Sequence, residues 1–166
     1  MATISKRRRI IDRSALNGRL DDMLDHADCI PGELRSDMLE LLKSALAAGR
    51  DEIRRRFEAG GSGAETVLAQ AFLIDQLIRV IYDFAAERVY PAANPTLADR
   101  LSVVAVGGYG RQELAPFSDI DLLFLLPYKE TPRHEQVIEY VLYMLWDLGL
   151  KVGHATRSID ECVRLS

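Results

Sequence analysis

Asp119 and Asp121, two residues apart in Ser118-Asp119-Ile120-Asp121, are the side chains of this chain whose type and spacing most directly suggest chemistry. They lead into Leu122 to Leu126, an apolar run of strand length. Side chains alternate across a strand, so both carboxylates are expected on one face, about 6 to 7 Å apart along the chain. Two carboxylates at the mouth of an apolar strand are costly to desolvate unless a cation or hydrogen-bond donors compensate them. A hard, oxygen-preferring ion such as Mg²⁺ fits, with phosphate and water completing its shell. The same residues also suit an Asp-rich turn whose carboxylates stay in water at the strand's start.

Upstream, Leu101 to Val106 is rich in Val and lacks polar alternation, the pattern of a strand covered on both faces. Gly107, Gly108 and Gly110 end it. Glycines let backbone N–H groups crowd towards an anion, so the loop suits a triphosphate, although glycines after a strand also make plain turns. It is not a P-loop, because no Gly-Lys-Ser/Thr follows.

Taken together, GGYGRQELAPFSDIDLL (Gly107 to Leu123) resembles the nucleotidyltransferase motif of the DNA polymerase β superfamily, in the form found in bacterial PII uridylyltransferase/uridylyl-removing enzymes. Phe72 to Pro91 and Leu142 to Cys162 are similar to the flanking segments of those enzymes, particularly in their alphaproteobacterial form, so the resemblance covers the chain from about Leu39 onward. It implies Mg²⁺-dependent transfer of UMP from UTP to a tyrosine hydroxyl of the PII nitrogen-signalling protein, with release of pyrophosphate. It also implies that Asp119 and Asp121 are the catalytic metal ligands and that Gly107, Gly108, Arg111 and Ser118 hold the nucleotide. Such sites generally use a third carboxylate, for which Asp147, Asp160, Glu161 or a residue beyond Ser166 are open candidates. One departure is Gln112, where the family usually has glycine.

The resemblance also implies a far longer protein, with an HD hydrolase domain and glutamine-sensing ACT domains. This chain is therefore expected to be the N-terminal piece of such an enzyme, without those C-terminal domains, inactive in uridylyl removal and of uncertain completeness for transfer. Two other readings stay open: a relative that transfers AMP, and a non-catalytic nucleotide-sensing domain. Base preference and oligomeric state are not legible in the residues.

The elements that must position these groups follow from periodicity. Residues 1–30 read as a lead-in with at most one short helix, 31–95 as a helical region, and 96–166 as the nucleotidyltransferase core, cut as its last helix begins. Leu34, Met38, Leu41, Leu42 and Leu46 recur at helical spacing after Pro31, and the pattern runs on through Ile53 and Phe57 with a kink expected at Gly49. Gly60-Gly61-Ser62-Gly63 breaks it, and Ala64 to about Val89 forms a second long helix stopped by Pro91 and Pro95. Arg133 to Leu148 reads as an amphipathic helix capped by Gly149, Lys151 to Arg157 as a strand, and Ser158 to Glu161 as a capping box. The fold class is thus α/β (α+β), a polymerase β-type core with a small mixed sheet behind an N-terminal helical region.

Composition sets the remaining bounds. At 166 residues, 48% hydrophobic and 28% charged, the chain has the mix of one globular domain. A net charge of −4 does not suggest nucleic acid, and the Lys6-Arg7-Arg8-Arg9 and Arg54-Arg55-Arg56 runs read as solvated. No signal-peptide core or membrane-length apolar run is present, and Cys29 and Cys162 have no metal spacing, nor do His26, His134 and His154. A cytoplasmic protein with reduced thiols is expected.

Overall fold

Side chains answer the first free amides of α-helices that begin at residues 13, 63, 132 and 159. The structure, a computed structural model, describes residues 3–25, 31–94 and 96–165, with the side chains of 31–33 outside the description; His26, Cys29 and Pro95 also lie outside the described residues. Two compact units divide the chain, Met1–Val80 with Glu113–Pro116, and Ile81–Gln112 with Phe117–Ser166.

The first unit is helical. Arg7–Arg9 makes one 3-10 turn, followed by α1 (Arg13–Asp25), α2 (Pro31–Glu58) and α3 (Gly63–Phe84), the last of which runs on into the second unit. Leu16 and Leu20 of α1 are buried, as are Met38, Leu41, Leu42, Leu46 and Ile53 of α2 and Leu73, Ile74 and Leu77 of α3. These are the apolar positions at spacings of three and four that drive helix packing. α2 runs unbroken through Gly49 as one helical span. A Cβ at Gly49 would fall 2.6 Å from Leu73 Cδ1 and 2.9 Å from the Ile10 carbonyl oxygen. Close approach of a neighbouring side chain and carbonyl is what glycine permits there. Ser62 and Glu65 close a reciprocal capping box at the start of α3, each backbone N–H donating to the other's side chain at 3.2 Å.

The second unit carries the sheet. After α3 the chain widens into a π-helical turn over Ala85–Val89, with the Tyr90 N–H donating to the Ala85 carbonyl at 2.8 Å. β1 (Ser102–Ala105), a four-residue helical turn α4 (Gly107–Gly110), β2 (Ile120–Leu126), α5 (Pro132–Asp147), β3 (Val152–Ser158) and α6 (Ile159–Leu165) follow. The sheet order is β1-β2-β3, with β1 antiparallel and β3 parallel to the central β2. A β–α–β crossover through α5 supplies the parallel pair.

Burial along β2 alternates: Ile120, Leu122, Phe124 and Leu126 are buried, while Asp121 is exposed and Leu123 and Leu125 half-buried. β1 is an edge strand whose Val103, Val104 and Ala105 are half-buried, so the coverage of both faces expected from its Val-rich run is partial.

α5 begins at Thr131, whose side chain accepts from the His134 N–H while His134 Nδ1 accepts from the Thr131 N–H. It ends before Gly149, which takes φ 74° as a helix-terminating residue. Arg133, in its first turn, donates to the carbonyls of Ala86, Tyr90 and Asp99 at 3.0, 2.8 and 3.3 Å. One guanidinium thereby satisfies two carbonyls left open where α3 unwinds and that of Asp99, which ends a 3-10 turn at Leu97–Asp99. Ser158 and Glu161 cap α6 as their spacing predicts: the Ser158 N–H and hydroxyl both donate to the Glu161 carboxylate, and the Glu161 N–H donates back.

Candidate active site

β2 carries the site because its register fixes what stands on either side of Asp121. On one side the Val106 N–H donates to the Asp121 carbonyl at 3.0 Å, which brings the Gly107–Gly110 turn against the strand. On the other, Asp121 is paired with Gly153 of β3. The carboxylate sits between two residues without side chains: a Cβ at Gly107 would fall 2.8 Å from Oδ2, and one at Gly153 would fall 2.8 Å from Oδ1. Gly107 also needs its glycine for the backbone, with φ 61°. Gly110 meets a third restriction, since its Cβ would lie 2.6 Å from the Ala105 carbonyl oxygen.

Asp119 is exposed and immediately precedes the strand, and Ser118 precedes it in turn. Neither Asp119 nor Asp121 has its carboxylate engaged by a hydrogen bond or ion pair among the described residues. Arg111 folds back on the turn, donating from Nη1 to the Gly107 carbonyl at 3.0 Å. Gly107, Gly108, Arg111 and Asp121 therefore come together around the start of β2, with Ser118 and Asp119 in the segment that leads into it.

Two exposed carboxylates, one of them cradled where a Cβ would fill the space, suit a hard divalent cation that demands oxygen ligands and tolerates water. No cluster of three or more His, Cys, Asp or Glu side chains occurs among the described residues. Of the other acids weighed from sequence, Glu161 is committed to capping α6, which lowers its pKa through the donors of Ser158. Asp160 sits in the first turn of the same helix, and Asp147 ends α5.

His154 lies on the opposite face of the sheet from Asp121, opposite Leu122, with its ring 6.5 Å from Phe124 and 6.2 Å from Trp146. It is part of an aromatic edge and does not face the carboxylates. Arg157 shares the Asp121 face by register, four residues beyond Gly153 along β3.

Two site features escaped the sequence reading. Gly153 had a detectable signal, since an isolated glycine inside a strand pattern often marks a close approach. Phe117 had none: its φ of 66° and its 80% exposure appear only in the folded chain, directly before Ser118. Gln112 also takes a left-handed φ, 62°, which gives a physical reason for the glycine that the resembled family carries there.

Residues 93–166 match the family described as Nucleotidyltransferase domain. The chain is 54% identical over 164 residues to a bifunctional uridylyltransferase/uridylyl-removing enzyme of Rhodospirillum rubrum, covering 97% of this chain and 17% of the relative. It is 51% identical over 166 residues to the enzyme of the same description from Azospirillum brasilense, covering 99% and 18%. For that of Caulobacter vibrioides the figures are 52% over 157 residues, 95% and 17%. The chain thus spans less than a fifth of the length of these relatives. No solved structure matches it. The mixed three-stranded sheet with its flanking helices is a polymerase β-type nucleotidyltransferase core, and the resemblance read from the Gly107 to Leu123 run holds over nearly the whole chain.

Proposed function

We propose that residues 96–166 form the core of a uridylyl-transferring site that moves UMP from UTP to a tyrosine hydroxyl of the PII signalling protein and releases pyrophosphate. The observation that carries this reading is the Asp121 carboxylate, unengaged among the described residues and seated between Gly107 and Gly153 beside a glycine-rich turn. The names of the relatives support uridylyl over other nucleotidyl groups.

Asp119 and Asp121 would hold Mg²⁺, and the amides opening the Gly107–Gly110 turn, with Ser118, would face the triphosphate. Mg²⁺ bound there would supply charge neutralisation at the phosphates and a lowered pKa for an attacking hydroxyl. The chain's own part is positional. The rigid ladder around β2 fixes the carboxylates, Arg111 ties down the turn, and preorganised groups of this kind spare reorganisation during reaction. Uridylyl removal, the other activity in the relatives' description, is not assigned to these residues.

Calorimetric titration of the chain with UTP, ATP, CTP and GTP, with and without Mg²⁺, tests the reading. Preferential, Mg²⁺-dependent UTP binding that disappears in Asp119→Asn supports it. A preference for ATP transfers the site to adenylyl chemistry, and a folded sample that binds none of the four overturns the nucleotide assignment.

A further inference from the structure

Gly153 stands in the interior of β3, where glycine is a poor choice on local grounds. Its φ lies outside the left-handed region, so the backbone does not require it. A glycine in a strand costs about 0.5 to 1 kcal/mol relative to alanine through lost conformational freedom. Nor does it relieve a crowded core, because the residue is exposed. The neighbour that a Cβ would meet within 4 Å is the Asp121 carboxylate, at 2.8 Å from Oδ1. No real Cβ tolerates that distance, so the carboxylate would have to move. Asp121 is a short side chain anchored on the central strand, paired through its backbone to Val106 on one side and in register with Gly153 on the other. A side-chain rotation is the least costly way for it to yield.

We infer that Gly153 is a positioning residue for the site: its missing side chain sets the orientation in which Asp121 presents its carboxylate to the cation, jointly with Gly107 on the opposite flank. The inference rests on the metal-ligand reading of Asp121 given above. Gly107 serves its own turn as well as the carboxylate, whereas Gly153 serves only the carboxylate. That separation makes the residue testable. Gly153→Ala is expected to keep or slightly raise stability, while the site loses the geometry that a divalent ion needs.

Four measurements on the chain decide it. Thermal unfolding of Gly153→Ala should give a midpoint equal to or above that of the wild type. Titration should show the Mg²⁺ concentration for half-maximal UTP binding raised about tenfold, the scale expected when a ligand group is displaced by a fraction of an ångström. Adding Gly153→Ala to Asp121→Asn should produce no further loss, because the carboxylate through which it acts is already gone. Wild-type Mg²⁺ dependence in Gly153→Ala, or an undiminished loss in the double variant, would overturn the inference. The carboxyl ¹³C resonance of Asp121, recorded without metal or nucleotide, separates this outcome from failure of the underlying reading. A shift in Gly153→Ala but not in an Ala155→Gly control, in a chain that binds no nucleotide, sustains the positioning and sinks the nucleotide assignment. An unmoved resonance sinks the positioning itself.

Discussion

Glu52 of the helical unit and Asp121 of the α/β unit are both carboxylates on regular elements, and the fold treats them in opposite ways. Glu52 lies between two arginines, with Arg55 donating through Nε and Nη2 at 2.9 Å and Arg56 through Nε at 2.8 Å. Its side chain is only 14% exposed, and hydrogen bonds from Arg55 and then Arg56 push its pKa down to about 2. Four further carboxylates are answered in the same way. Glu58 meets Arg54, Glu65 meets Ser62, Asp99 meets Thr96 and Glu161 meets Ser158, every partner three or four residues away. That is the reach of one helical turn. Asp119 and Asp121 have no such answer among the described residues. Carboxylates that build the structure are satisfied locally, and those left open in an extended segment are available to a ligand.

The sharpest way to break this contrast is to neutralise one member of each class. Asp121→Asn is expected to lower Mg²⁺-dependent UTP affinity at least about a hundredfold, the scale of losing a metal-ligating group, while urea unfolding shows a stability within about 0.5 kcal/mol of the wild type. A destabilisation comparable to that of the fold-building carboxylates would erase the distinction.

Within the α/β unit the contrast extends to cations. Arg133→Ala should cost about 2 kcal/mol or more in urea unfolding, because three carbonyls lose a charged donor, whereas nucleotide affinity measured below the transition should stay unchanged. Arg111→Ala should do the reverse.

Glu52→Gln is expected to cost about 1 kcal/mol at neutral pH, the value of a small surface ion-pair network. The sign with pH follows from the depressed pKa. The stabilisation from Glu52 is present above its ordinary value of 4.5 and declines as pH falls towards about 2. Thermal unfolding of wild type and variant should therefore converge across that window, and parallel curves would deny the pairing its weight.

The smallest effect concerns the turn. Gln112→Gly should raise stability by up to about 1 kcal/mol, relieving a left-handed residue at the cost of some unfolded-state entropy. Loss of stability would mean that the Gln112 side chain holds the turn.

These contrasts explain what could be read beforehand. Helices announced themselves because their signals are local: the stripe of α2, the Ser158 and Glu161 cap, and Gly149 after α5 all lie within one or two turns of what they determine. The aspartates were legible for the same reason, being two residues apart. What stayed hidden depends on partners distant in sequence. Gly49 answers Leu73 and Ile10, Arg133 reaches back to Ala86, and Gly153 matters through a register with Asp121 that no short window contains. The partial covering of β1 stayed hidden too, since a Val-rich run does not say how completely other elements bury its two faces.

The aromatic edge of the sheet makes the α/β unit optically separable from the helical one. Trp146 is the single tryptophan of the chain, 43% exposed, with Tyr143 at 5.5 Å and the His154 imidazole at 6.2 Å. Its emission therefore reports on the surroundings of α5 and β3. The His154 ring against which Trp146 stands is one residue along the strand from the glycine beside Asp121, so a spectral change on nucleotide addition would place the ligand near that strand.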